Sequence, residues 1–262
     1  MLPELAAEFF GTLILLLFGN GVVAMVVLFA HPNIPGEIVN GGFTNINFAF
    51  GIGVTMGIYV AGRISGAHLN PAVTLAVAAF RGFSWKKVIP YCIAQTAGAF
   101  CASAIVYWNY RPQFHLVDPN LEKTAGVFTT FPAFPDLPSA GLLDQTIGTA
   151  ILVFLIFALI DNRNSPPQAN LTPVLIGTIV VGIGMSFGGL HGYAINPARD
   201  FGPRLFTVIA GFKNNGLTDG GNIFWVPIVG PLVGGLIGGA AYDFGVRRYL
   251  PEAVVSNSAK AA

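Results

Sequence analysis

The sequence predicts an all-α membrane protein in which six spanning helices and two re-entrant half-helices form an inverted repeat within one domain, residues 1–262. Three observations lead there. Hydrophobic residues make up 53% of the chain and charged residues 10%, against about 25% charged in an ordinary soluble domain. The triplet Asn-Pro-Ala occurs at Asn70-Pro71-Ala72 and again at Asn196-Pro197-Ala198, at matching places in two apolar halves. Each copy opens an apolar run too short to cross a bilayer unaided.

Residues 5–30 are apolar apart from Glu8, Thr12 and Asn20, long enough for a first span. The run is too long for a signal-peptide core and lacks a basic flank, Glu4 being the only charge before it. Further spans are expected at 44–61, 88–107, 142–160, 171–187 and 224–246. The repeats cover about 5–107 and 142–246. They are joined by a connection, 108–141, that carries Pro112, Pro119, Pro132, Pro135 and Pro138 and is read as a folded extracellular flap. Residues 256–262 are small and polar and are expected to be disordered.

The short runs are 71–80 and 197–210. At about 1.5 Å per residue the first is roughly 15 Å long, half the hydrocarbon thickness. Asn is a favoured N-cap and Pro suits the first helical position, so each run should become helical at its proline. Irregular backbone at membrane depth is tolerated only in protein or beside water, so the two half-helices imply a watery cavity. Three spans per half, an odd number, invert the second half relative to the first. The repeat extends outward, with Glu8-Phe9-Phe10-Gly11-Thr12 corresponding to Gln145-Thr146-Ile147-Gly148-Thr149.

With the N-terminus inside, short cytoplasmic loops receive Arg63, Arg81, Lys86, Lys87, Arg163, Arg247 and Arg248, against Arg111, Lys123 and Lys213 outside. This asymmetry places both termini in the cytoplasm. The sequon at Asn170-Leu171-Thr172 then faces the cytoplasm and is a chance match. A net charge of +1 offers no basic stripe for nucleic acid. Cys92 and Cys101 lie in an apolar span, where they pack as small hydrophobes. No cofactor ligands are evident, and His68 and His191 lack neighbouring cysteines or carboxylates that would make a metal site. No nucleophile, base and orienting group can be assembled into an enzyme.

The stretches Ser65-Gly66-Ala67-His68-Leu69-Asn70-Pro71-Ala72-Val73-Thr74 and Gly192-Tyr193-Ala194-Ile195-Asn196-Pro197-Ala198-Arg199 resemble the aquaporin and glycerol-facilitator family over about residues 8–242. Arg199 followed by Asp200, in the run Asp200-Phe201-Gly202-Pro203-Arg204, is similar to the glycerol-conducting branch. The resemblance implies a homotetramer in the cell membrane, each protomer passing glycerol, other small neutral solutes and water while excluding ions and protons. It also implies a selectivity filter of Phe50, Gly184, Tyr193 and Arg199, with carbonyls of Gly66, Ala67, His68, His191, Gly192, Tyr193 and Ala194 along the pore.

In such a filter Arg199 would hold two vicinal hydroxyls while Phe50 and Tyr193 cover the carbon face of the solute. Asn70 and Asn196 would cap the half-helices and present amide hydrogens to it. Glu8, Gln145 and Asp200 are assigned structural roles, Glu8 as acceptor for re-entrant amides. Three departures mark this chain. Gly184 stands where water-selective members usually carry histidine, Phe50 where the glycerol branch often has tryptophan, and Gln145 where a second glutamate is common. A water-selective channel and an ion-coupled transporter remain the alternatives.

Overall fold

Each apolar run forms a helix in the computed structural model, which describes residues 1–30 and 41–251; the expected disordered tail at 256–262 lies outside the described residues. The helices are α1 (Leu2–Leu28), α2 (Phe43–Ser65), α3 (Pro71–Phe80), α4 (Trp85–Val117), α5 (Pro138–Ile160), α6 (Thr172–Phe187), α7 (Pro197–Ala210) and α8 (Val226–Gly245). Five of them are long and apolar enough to cross a membrane. The 16-residue α6 is apolar but shorter, about 24 Å at 1.5 Å per residue. Outer faces carry exposed Ile64, Ile89, Ile93 and Ile209, the surface that an integral membrane protein turns to lipid.

The half-helices α3 and α7 start and stop at the expected residues, because Asn-Pro fixes one end and loss of the apolar run fixes the other. Each lies against the last helix of the opposite half. A Cβ added to Gly235 of α8 would stand 2.9 Å from the Ala72 carbonyl oxygen, and one added to Gly202 of α7 would stand 2.5 Å from that of Thr96 on α4. These small residues permit the close backbone approach, so the halves are interleaved.

The connection differs from expectation. Residues 108–117 continue α4 through Pro112, and α5 begins at Pro138, so the connection between the α-helices is 118–137 rather than 108–141. An interior proline costs a helix about 3 kcal/mol. Tertiary contacts offset that cost: Gln113 Nε2 donates to the Leu28 carbonyl at 2.8 Å, and Phe114 is buried with its ring stacked on Phe128 at 5.8 Å. Burial of a phenylalanine alone contributes about 1.5–3 kcal/mol.

Segment 118–137 is folded. The Asp118 carboxylate accepts from the amides of Glu122, Lys123 and Thr124 and from the Thr124 hydroxyl, closing a 3-10 turn at Thr124–Val127. Burial raises the Asp118 pKa, and the bonds from Lys123, Glu122 and Thr124 outweigh it, leaving the carboxyl below its ordinary range. Phe128 then packs edge-on against Phe206 at 5.4 Å and Phe212 at 5.7 Å, which ties the connection to α7 and the loop after it.

Candidate functional site

Two backbone segments, 66–69 and 192–195, carry the site, and they repeat each other in conformation. Counting back from each motif asparagine, φ is positive at the fourth, third and first residues: Gly66, Ala67 and Leu69 in one half, Gly192, Tyr193 and Ile195 in the other. The left-handed region costs a non-glycine residue roughly 1–2 kcal/mol, so Ala67, Leu69, Tyr193 and Ile195 need support. In the first half Glu8 supplies it, accepting from the His68 amide at 2.9 Å and the Leu69 amide at 2.7 Å. In the second, Gln145 Oε1 accepts from the Ile195 amide at 2.7 Å and Nε2 donates to the His191 carbonyl at 3.1 Å.

Both asparagines cap as expected. Asn70 Oδ1 accepts from the Ala72 amide at 2.8 Å, and Asn196 Oδ1 from the amides of Ala198 at 3.0 Å and Arg199 at 3.2 Å. Their amide nitrogens do something the sequence did not disclose. Asn70 Nδ2 donates to the Ile195 carbonyl and Asn196 Nδ2 to the Leu69 carbonyl, each at 2.8 Å. The two helix N-termini therefore abut, fastened crosswise, and each carboxamide keeps a second N–H for another acceptor. A partial charge of about +0.5 belongs to each end, so the meeting point disfavours cations.

Beside this junction runs a cavity of about 730 Å³. It extends from Tyr59, Arg63 and Asn170 at one end, past Asn70 and Asn196, to Phe50, Tyr193 and Arg199. Val54, Ile58, Val77 and Val180 contribute apolar side chains to its wall, and Gly66, Ala67, His68 and Ala194 line it as well. Leu69 and Ile195, which sequence reasoning did not assign, also line it. His191 and Gly192, expected on the lining, are absent from this wall: the His191 carbonyl is taken up by Gln145, and Gly192 packs on Thr130.

The four residues assigned to a filter converge. Tyr193 meets Phe50 edge-on at 5.9 Å, and the Arg199 guanidinium carbon sits 4.6 Å from the Phe50 ring centre. Arg199 Nη1 donates to the Phe128 carbonyl at 3.0 Å, so segment 118–137 aims it. Gly184 adjoins the group without lining the cavity. A Cβ there would come within 2.4 Å of Asn47 Oδ1 and 2.9 Å of Tyr193 Cζ, so the space freed by glycine is filled from α2.

Asp200 is paired with Arg204, four residues on along α7. Arg204 Nε donates to Asp200 at 2.8 Å, Thr130 donates to the same carboxylate through its amide and hydroxyl, and all are buried. The Asp200 and Arg204 spacing of four residues on α7 was a usable signal for that pair. Thr130 and Phe128 gave none. Gln95 did, as a polar residue in an apolar span. It donates to Glu8 at 2.7 Å, and Ser65 Oγ donates to the same carboxylate at 2.6 Å. His68 Nδ1 lies 3.2 Å from Thr74 Oγ1 and its ring packs on Phe83, so the side chain orients the loop.

Comparison with known proteins agrees with this geometry. The family profile described as Major intrinsic protein matches residues 1–242. The chain is 41% identical to Aquaporin-10 of Milnesium tardigradum over 95% of its own length and 64% of that protein. It is 44% identical to Aquaglyceroporin-9 of Botryotinia fuckeliana over 90% of its length and 52% of that protein. The chain thus spans less than two thirds of these two relatives. Its structure is similar to the X-ray structure of the aquaglyceroporin from Plasmodium falciparum, with a TM-score of 0.79, 30% identity, and coverage of 92% of this chain and 95% of that one.

Proposed function

The chain belongs to the Major intrinsic protein family, and from that premise we propose that it is a passive transmembrane channel for glycerol, related small neutral solutes and water. The observation that carries this reading is the end of the cavity, where Arg199 lies over the Phe50 ring and Tyr193 meets that ring edge-on. A polyol has a hydroxyl edge and a carbon edge. Arg199 and the free N–H groups of Asn70 and Asn196 serve the first, and the two rings with the apolar side chains of the wall serve the second. Many weak contacts and no deep one let a solute leave as easily as it enters. The abutting helix ends and Arg199 repel protons and cations.

One observation weighs against an ion-coupled transporter. Glu8, the acidic residue expected near the midplane, is fully buried, lies off the cavity wall and already accepts four hydrogen bonds. It has no free lone pair aimed at a coupling ion. Gly184 does not line the cavity, so it is the apolar corner of Phe50 and Tyr193 beside Arg199 that favours the polyol reading over the water-only one. The working form is a homotetramer in the cell membrane, with both termini cytoplasmic and segment 118–137 extracellular; the basic-residue asymmetry supports the orientation.

Light scattering on proteoliposomes tests the proposal. Purified protein should carry glycerol and water down their gradients, indifferent to sodium or pH gradients. Accumulation of glycerol against its gradient, driven by either ion, would overturn it.

A further inference from the structure

Asn47 lies on α2 one turn before Phe50, on the same helix face. It is fully buried, and among the described residues neither its Oδ1 nor its Nδ2 has a hydrogen-bond partner. Tyr193, whose ring lines the cavity, has a buried hydroxyl in the same condition. Both groups adjoin one notch: the point where a Gly184 Cβ would stand is 2.4 Å from Asn47 Oδ1 and 2.9 Å from Tyr193 Cζ, the carbon that bears the hydroxyl.

A buried carboxamide left unpaired is costly, and asparagine is also a poor residue for a helix interior. A leucine of similar size would fill the same space at no such cost. Unpaired polar groups in a native structure call for an explanation, and beside a cavity one such explanation is a partner that comes and goes. The hydroxyl and the carboxamide each donate and accept and carry no charge, so the chemistry they match is a neutral hydroxyl compound.

We propose that Asn47 is a positioning residue for solute selectivity that acts through Tyr193. Without a side chain at 184, the Tyr193 hydroxyl shares a polar notch with Asn47 and exchanges its hydrogen bond between that carboxamide and a hydroxyl of the polyol held at Arg199. The inference rests on the reading of Phe50, Gly184, Tyr193 and Arg199 as the filter.

The test measures glycerol and water permeability of the same proteoliposomes, together with thermal stability. Asn47→Leu should lower the glycerol-to-water ratio about three- to tenfold, the range set by one hydrogen bond, with stability unchanged or raised. Tyr193→Phe should shift the ratio equally, and the double variant should be no worse than either single one. Asn47→Ser, smaller but able to bond, should hold the ratio within about twofold of the parent protein. An unaltered ratio in folded Asn47→Leu makes Asn47 a packing residue and sinks the proposal, as does a serine variant that falls as far as leucine. Failure of the parent protein to carry glycerol is a separate result, which overturns the channel reading itself.

Discussion

In the first half Glu8 meets four donors, the Ser65 hydroxyl, the amides of His68 and Leu69 and the Gln95 carboxamide. In the second half Gln145, at the matching place, meets one group of each kind: the Ile195 amide as donor and the His191 carbonyl as acceptor. The supported backbones are alike, with positive φ at the same three places. The difference shows that the anchor follows its local count of donors and acceptors, and symmetry only in its location. A carboxylate suits a ring of donors; a carboxamide, which has both capacities, suits a mixed pair. Gln145 is therefore fitted to its corner.

Exchanging the two anchors is the strongest way to break the comparison. Glu8→Gln turns an NH₂ toward two of the four donors and orphans the backbone amide of that pair, His68 or Leu69, at about 1–3 kcal/mol, while the Ser65 hydroxyl or Gln95 carboxamide beside it must turn round to accept. Purified Glu8→Gln should show a large fall in thermal midpoint or fail to assemble. Gln145→Glu loses the bond to His191 and sets a buried carboxylate against that carbonyl, a conflict it relieves only by taking up a proton, so its cost should shrink as pH is lowered while that of Glu8→Gln does not. Losses from the two swaps with the same pH dependence, measured by thermal unfolding in detergent, would refute the donor-counting account.

A second exchange concerns the third residue after each asparagine, which is Val73 in α3 and Arg199 in α7, both on the cavity wall. Arg199→Val gives the second half the residue of the first. The side chain makes one hydrogen bond, to Phe128, while its charge is buried, so stability should change by about 1 kcal/mol or less. Selectivity should suffer: proton leak in pH-jump experiments should rise roughly tenfold as one cationic group leaves the barrier, and polyols should be less well distinguished. Unchanged tightness and solute ranking would remove Arg199 from the filter.

The smallest effect expected is on acid stability, and it sharpens the contrast between the connection and the helical halves. Burial raises the pKa of Asp161, just past α5, but bonds from Arg163, Tyr242 and Arg247 outweigh it, so this carboxyl, like Asp118, ends below its ordinary range. A carboxyl lowered in the fold contributes stability above its unfolded pKa and loses it as pH falls through its folded one. Thermal midpoints should stay level from neutral pH to about 5 and decline below about 4. Asp118→Asn should flatten part of that decline; an identical acid profile would show that the 3-10 turn does not need the charge.

The half-helices were legible in the sequence because their signals are local: an N-cap asparagine, a proline at the first position and an apolar run of limited length. The filter residues came from the family resemblance; Phe50, Tyr193 and Arg199 line one end of the cavity, and Gly184 adjoins them without lining it. The extent of α4 was not legible. Pro112 reads as a stop, and the contacts that override it, Gln113 to Leu28 and Phe114 on Phe128, depend on the whole fold. Gln145 could be seen as a departure, yet its reason is a carbonyl 46 residues away. Phe128 and Thr130 sit in a segment with no periodicity, so nothing marked them as the groups that aim Arg199 and brace Asp200.

The crosswise bonds between Asn70 and Ile195 and between Asn196 and Leu69 impose an order in time. Ile195 is made 125 residues after Asn70. At synthesis rates of about 5–20 residues per second, that is a wait of roughly 6–25 seconds. During it α3 has neither the carbonyl that Asn70 will bond nor the Gly235 surface of α8 on which it will lie. What it has is Glu8, whose four donors all come from the first half and are complete once Gln95 has been made, early in that wait. The carboxylate holds segment 66–69 in its left-handed turn while the remainder of the channel is being translated. The second anchor faces no such delay, because every partner of Ile195 and Asn196 precedes or adjoins them in the chain.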